Sequence, residues 1–273
     1  MLINEVKRAI KSKKFLVIIL MGLAIHLLSG FKEIKPYIFF NYNAPDLNTP
    51  EAQATARAMV TKALNKYDVW FSTMYFYIFA MPILSAFPFS LSHLEDKEFG
   101  MIKCIDARVN HKKYLKTKVL VNGIAGGLAV ALPTVISSII VSIFFKGSIN
   151  DFSGKGIDGG IFAQLVIGNF PLYIMIHIFI NFMFGFAYAQ IALAVSSFIK
   201  NKIAITLFPF LFWIGVSTIF SALNINHFSP MLINQFHVVP EISLGEIIIE
   251  LIAITAIFAV LFMFKARKRN IYE

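Results

Sequence analysis

The sequence predicts an all-α, polytopic membrane protein, and three observations carry that prediction. Of its 273 residues 58% are hydrophobic, 29 are Phe and only 15% are charged, which departs from soluble globular usage. Six stretches approach or exceed the roughly 20 apolar residues that cross a hydrocarbon core: 15–31, 69–94, 119–145, 164–198, 203–223 and 247–264. The basic residues alternate sides between those stretches. With both termini placed inside, 18 of the 25 Lys and Arg fall on the inner segments, and none falls in 224–245. The positive-inside bias then predicts a multi-pass protein of the cell membrane with both termini cytoplasmic.

The net charge of +10 reads mainly as that topology signal together with attraction to anionic lipid, and not as nucleic-acid binding. A basic start before an apolar run also fits a signal peptide. The run is long for one, and no small-x-small cleavage site follows, so a retained first span is expected. Ahead of it, in 1–14, Leu2, Val6 and Ile10 recur at helical spacing while Lys7, Arg8, Lys11 and Lys14 supply charge. That pattern predicts a helix lying in the membrane interface, with a merely positive flank as the plainer reading.

The later spans differ in useful ways. The second holds Pro82 and Pro88, the third Pro133 and the fifth Pro209, each of which removes a backbone donor and invites a kink. The fourth is longer than one crossing needs, and Pro171 offers a break between an outer interfacial piece and the span proper. Segment 224–245 is too short and polar to cross and too apolar for a solvated loop, so a shallow re-entrant or interfacial helical hairpin is expected at the outer face. The whole chain then forms one transmembrane domain.

Between the second and third spans lies a charged island, 95–118, with seven basic and four acidic residues. Its composition predicts a water-exposed connector with helical order of its own. The single cysteine, Cys104, falls in it, so no intrachain disulfide forms and the thiol is expected to be reduced.

Several chemistries lack sequence support. No GxxxxGK[ST] cradle is present for ATP. HExxH, CxxC and GxSxG are missing, and the His residues are scattered, so neither metal nor nucleophilic catalysis is indicated and an enzyme is not expected. Ion-driven carriers place ionisable groups inside the bilayer because only function offsets their cost there. Here the first five spans carry no Asp, Glu, Lys or Arg in their interiors, and only Glu250 sits about one turn into the sixth.

The run Glu95-Asp96-Lys97-Glu98-Phe99-Gly100-Met101-Ile102-Lys103 resembles the acidic stretch, Gly and apolar position after the second span in permease subunits of type-2 ABC transporters, also called type V exporters. Lys118 matches the basic residue that opens the third span in that family. The interfacial helix, six spans and hairpin before the sixth resemble the same architecture over nearly the whole chain. The sequence departs from the family where Arg108-Val109-Asn110-His111 stands in place of a Pro-x-Ser-Arg turn.

The resemblance implies that 95–118 contains a coupling helix docking on a separate cytoplasmic ATPase through Glu95, Asp96, Glu98, Gly100, Met101, Lys103 and Lys118. It implies ATP and Mg bound by that partner and no cofactor in this chain. It also implies a dimer with a second permease copy or a homologous permease, and export of a substrate such as a hydrophobic or antimicrobial peptide. Rigid coupling elements transmit motion as units, which suits this role; an ordinary solvated inner loop is the plainer alternative.

In the fourth span His177, Asn181, Phe184 and Tyr188 share one helical face. They are candidates for a translocation pathway at the dimer interface or for interhelical hydrogen bonding. His26 and Asn122 read as packing or interfacial groups. Two other functions stay open: a membrane-embedded enzyme of the bacteriocin-immunity protease type, for which a paired-Glu motif is missing, and a passive channel or secondary carrier.

Overall fold

The computed structural model describes residues 1–149, 154, 159–236, 238–239 and 242–267. The described residues form twelve α-helices: α1 (Leu2–Ile10), α2 (Lys13–Ile38), α3 (Pro50–Ala63), α4 (Lys66–Ala86), α5 (Ser92–Glu98), α6 (Met101–Asp106), α7 (His111–Phe144), α8 (Ala163–Gly168), α9 (Phe170–Val195), α10 (Lys202–Ala222), α11 (Pro230–Ile233) and α12 (Leu244–Arg267). Six of them, α2, α4, α7, α9, α10 and α12, are long and apolar enough to cross a membrane. The chain is all-α among the described residues, as its composition predicts.

Caps and breakers set the boundaries. Ser12 separates α1 from α2 and accepts from the Phe15 amide, a helix-start interaction available to a short hydroxyl side chain. Asn65 caps α4, Asn110 caps α7 and Asn201 caps α10. At α12 the Ser243 amide donates to Glu246 while the Glu246 amide donates to Ser243, a reciprocal capping box. The expected division of the fourth span occurs at Asn169, which ends α8 and caps α9 with Pro171 in its first turn. There Pro lacks only a donor that the helix would not use.

Several expected limits shift. α4 ends at Ala86, and Pro88 lies in the turn that follows, whereas α4, α7 and α10 continue through Pro82, Pro133 and Pro209. α2 runs to Ile38, beyond its apolar stretch, with Lys32 placed over the Phe76 ring at 4.7 Å; a long aliphatic stem lets a charged residue stay on such a helix. α7 has 34 residues, about 50 Å of helix, so its first turns extend past the roughly 30 Å hydrocarbon layer. Helix α3 lies in a segment that lacks apolar periodicity. Its signals are local, with Thr49 capping Ala52 and Pro50 at its start.

In 224–245 the described residues form a 3-10 turn at Asn226–Phe228 and the single turn α11 rather than the two arms of a helical hairpin. His237, Pro240 and Glu241 lie outside the described residues. The segment is anchored by Trp213 donating to the Pro230 carbonyl at 3.1 Å and by the Met231 amide donating to Ser217 at 3.0 Å. Phe236 is fully buried against Tyr173 and His177.

α9 is enclosed on most of its surface, while α10 and α12 leave most of theirs facing outward. Its closest crossing is with α7. A Cβ on Gly126 would lie 2.8 Å from the Gly185 and Ser85 carbonyl oxygens and 2.5 Å from Ala189 Cβ. Small residues thus let two backbones approach where lipid supplies no hydrophobic drive for association. Asn122 donates to the Ala189 carbonyl at 2.7 Å, and Gln190 donates to the Val119 carbonyl at 3.0 Å. Deeper in the bundle, His26 stacks on Tyr77 with centroids 3.7 Å apart. Its ring nitrogens lie 3.2 Å from the Thr73 carbonyl and 3.3 Å from Thr134 Oγ1, so His26 and Asn122 both serve packing.

Gly126→Val is expected to lower stability by about 2–3 kcal/mol, because its branches meet backbone atoms that cannot yield. Gly215→Ala, whose added methyl meets nothing within 4 Å, is expected to be neutral or stabilising. Thermal unfolding of the two variants in detergent checks both.

Candidate functional site

The segments assigned to the inner side meet at one end of the bundle, and α5 is the element that joins them. Its buried residues are Ser92, His93, Leu94 and Asp96. Its three acids reach different helices. Glu95 pairs with Lys14 of α2 at 2.5 Å, and Glu98 pairs with Lys202 of α10 at 2.9 Å. Asp96 pairs with Arg8 of α1 at 2.8 Å and with Lys118 of α7 at 2.7 Å. The α12 end joins the same face: His111 lies 2.9 Å from Asp106 and 3.2 Å from the Ala266 carbonyl.

The centre of this arrangement is a buried ion cluster. Lys118 and Asp96 are both fully buried, and Lys118 also donates to Glu5 of α1 at 2.7 Å. Tyr114 donates to Asp96 at 2.9 Å. The ammonium lies over the Phe89 and Tyr114 rings at 4.8 and 5.5 Å, a favourable placement for a desolvated cation. Two cations thus face two carboxylates with aromatic walls around them, which meets the pairing requirement for buried charge.

Burial pushes the Asp96 carboxyl up, but Lys118 and then Arg8 outweigh it and hold the group below the usual carboxylate range. Burial likewise opposes the charge on Arg8, and Asp96 reverses the effect. His93 lies 3.2 Å from the Tyr114 hydroxyl and edge-on to Phe262 of α12 at 5.0 Å. Burial first, then the Lys118 charge, lowers it to about 4, so it is neutral at pH 7.

This geometry divides the residues expected to meet an ATPase. Asp96 and Lys118 are enclosed within the chain, paired to each other and to Arg8 and Glu5 of α1. The sequence signal that would have separated them is the basic N-terminal helix, whose Glu5 and Arg8 complete the cluster. Glu95 is half-buried and Glu98 exposed, each already paired. Gly100 has φ +66°, and a Cβ there would meet nothing within 4 Å. Glycine therefore serves the left-handed helix end between α5 and α6 and not a close approach. Around that elbow Phe99 is 76% exposed and Met101 45%, and Lys103 and Cys104 are also exposed. The exposure of Phe99 depends on the elbow, which no local sequence signal announces.

The second candidate set lies on α9. His177, Asn181, Phe184 and Tyr188 do share a face, and all four are buried. That face turns into the helix bundle of this chain. His177 meets Trp70 edge-on at 5.1 Å, and Asn181 donates to Thr134 at 3.3 Å. Phe184 stacks on Tyr188 at 4.0 Å. Among the described residues Asn181 Oδ1 and Tyr188 Oη are buried without a hydrogen-bond partner.

Lys118→Met is expected to destabilise the protein by about 3–5 kcal/mol, because Glu5 and Asp96 then share Arg8 alone. Hydrogen exchange should accelerate first at α1 amides. Acidification acts through His93. Its lowered value means that the unfolded chain binds the extra proton between pH 6.5 and about 4, so stability falls as pH drops through that window, by roughly 2 kcal/mol at pH 5. His93→Gln should flatten that slope in melts at pH 7 and 5, whereas Asp96 loses its contribution as pH falls through the ordinary carboxylate range and below it. Comparison of the chain with family models, with curated proteins and with solved structures returns no match.

Proposed function

We propose that this chain is the membrane-spanning permease subunit of an ABC exporter. In this reading both termini and the α5–α6 elbow face the cytoplasm of a cell whose membrane the six helices cross. The permease works with a second copy or a homologous permease. A separate cytoplasmic ATPase binds ATP and Mg and drives it. Beyond the motif resemblance, the observation that carries this reading is the elbow itself: a short helix paired through Glu95, Asp96 and Glu98 to α1, α2, α7 and α10, with apolar Phe99 and Met101 exposed beside it. A push on such a tip moves several helices together, which a solvated loop cannot do.

Apolar side chains on a solvent-facing elbow also suit docking in a groove. The substrate class that goes with this proposal is a hydrophobic or antimicrobial peptide. The described outer connections hold only α3, α8, α11 and short turns, consistent with the relatives that lack a large outer domain.

The test is purification of the tagged chain from its native membranes. Wild type should bring down a P-loop ATPase and show ATP hydrolysis. Phe99→Asp/Met101→Asp should lose the ATPase at least tenfold while keeping its thermal midpoint. Gly100→Trp is a poorer probe because the left-handed backbone strains any side chain. Absence of an ATPase from the wild-type preparation, or its full retention by the double variant, overturns the docking role.

A further inference from the structure

The lysines of α7 sort onto two faces. Lys118 points inward to Glu5 and Asp96. Lys112, Lys113 and Lys116 point outward, and among the described residues none of their side chains has an acidic partner. These three border an open groove of about 570 Å³, which Leu2 of α1, Thr117 and Leu120 complete. Lys116 follows Lys112 by four residues and Lys113 by three, and Leu120 follows Lys116 by four, so the four side chains lie along one helical stripe.

Along that stripe the character changes with depth. The lysines occupy the first two turns of a helix longer than the hydrocarbon layer, and Leu120 lies about 10 Å further along the axis from Lys113. The start of α7 adds the positive end of a 34-residue helix. On the other wall Leu2 is 42% exposed, and its neighbour Ile3 is 69% exposed. Three unpaired cations above an apolar floor repel one another unless an anion with an apolar body occupies the groove.

We propose that the groove between α1 and the start of α7 is a binding site for an anionic phospholipid of the adjacent leaflet, its phosphate among Lys112, Lys113 and Lys116 and its acyl chains along Leu2 and Leu120. The lipid closes the groove between the interfacial helix and α7 on the face opposite the ion cluster. This inference depends on the membrane setting and not on export.

The protein would be purified in mild detergent with equal amounts of phosphatidylglycerol and phosphatidylcholine, and the retained lipid weighed by native mass spectrometry. Wild type should retain phosphatidylglycerol in excess on the order of tenfold. The Lys112→Gln/Lys113→Gln/Lys116→Gln variant should retain the two lipids equally at an unchanged thermal midpoint. A charge-matched control, Lys11→Gln/Lys103→Gln/Lys200→Gln, removes three exposed lysines elsewhere on the same end and should keep the preference. Leu120→Asn should weaken retention of phosphatidylglycerol. Equal loss in the control means diffuse electrostatics and overturns the site. Displacement of the lipid by soluble glycerol phosphate at comparable concentration means a free-anion site, and overturns the lipid assignment. Absence of a preference in wild type, including a groove taken by an acidic protein, does the same.

Discussion

One end of the helix bundle depends on a single buried ion cluster. Asp96 accepts from Arg8, Lys118 and Tyr114, and Lys118 in turn reaches Glu5. Such a cluster need not add net stability over an apolar core, since desolvation offsets much of the Coulomb attraction. Its effect is geometric: an unpaired member would be severely costly, so α1, α5 and α7 can adopt only arrangements that satisfy all four charges. That fixes an amphipathic helix and a seven-residue helix that are too short to hold their positions by propensity.

The membrane-spanning part is fixed by different physics. Helix association in lipid relies on close packing and on polar contacts between helices. The Gly126–Gly185 crossing supplies the first, and Asn122, Gln190, Thr134 and Asn181 supply the second. These two systems are mechanically continuous because α7 passes through both. Its first turns carry Lys118 and Tyr114, and its middle carries Gly126 and Thr134. A displacement of α5 therefore has a rigid route to the α7–α9 crossing, which is the route the proposed exporter would use.

The opposite end is held less by charge than by aromatic packing. Trp70, Phe170, Tyr173, His177 and Phe236 form a contiguous group, and Trp213 ties α11 to α10. Aromatic bodies with one polar atom suit that level of a membrane protein, where one side is apolar and the other wet. The polar face of α9 ends in this group.

By itself the sequence determined the class, the number of apolar helices and the side-sharing of the charged segments. Those properties follow from hydrocarbon thickness and the cost of placing Lys or Arg in it, which act on each stretch independently of its neighbours. The break near Pro171 was legible for the same local reason. Tertiary structure alone decided which acid of the island is enclosed. Glu95, Asp96 and Glu98 are chemically alike and adjacent, yet one is fully buried because helical rotation aims it at Arg8 and Lys118, which lie 88 and 22 positions away in the chain. It likewise decided that His177, Asn181, Phe184 and Tyr188 turn into the bundle, that α3 forms where no apolar period marks it, and that the described residues of 224–245 form a 3-10 turn and the single turn α11. Periodicity says that residues share a face. Only packing says what the face meets.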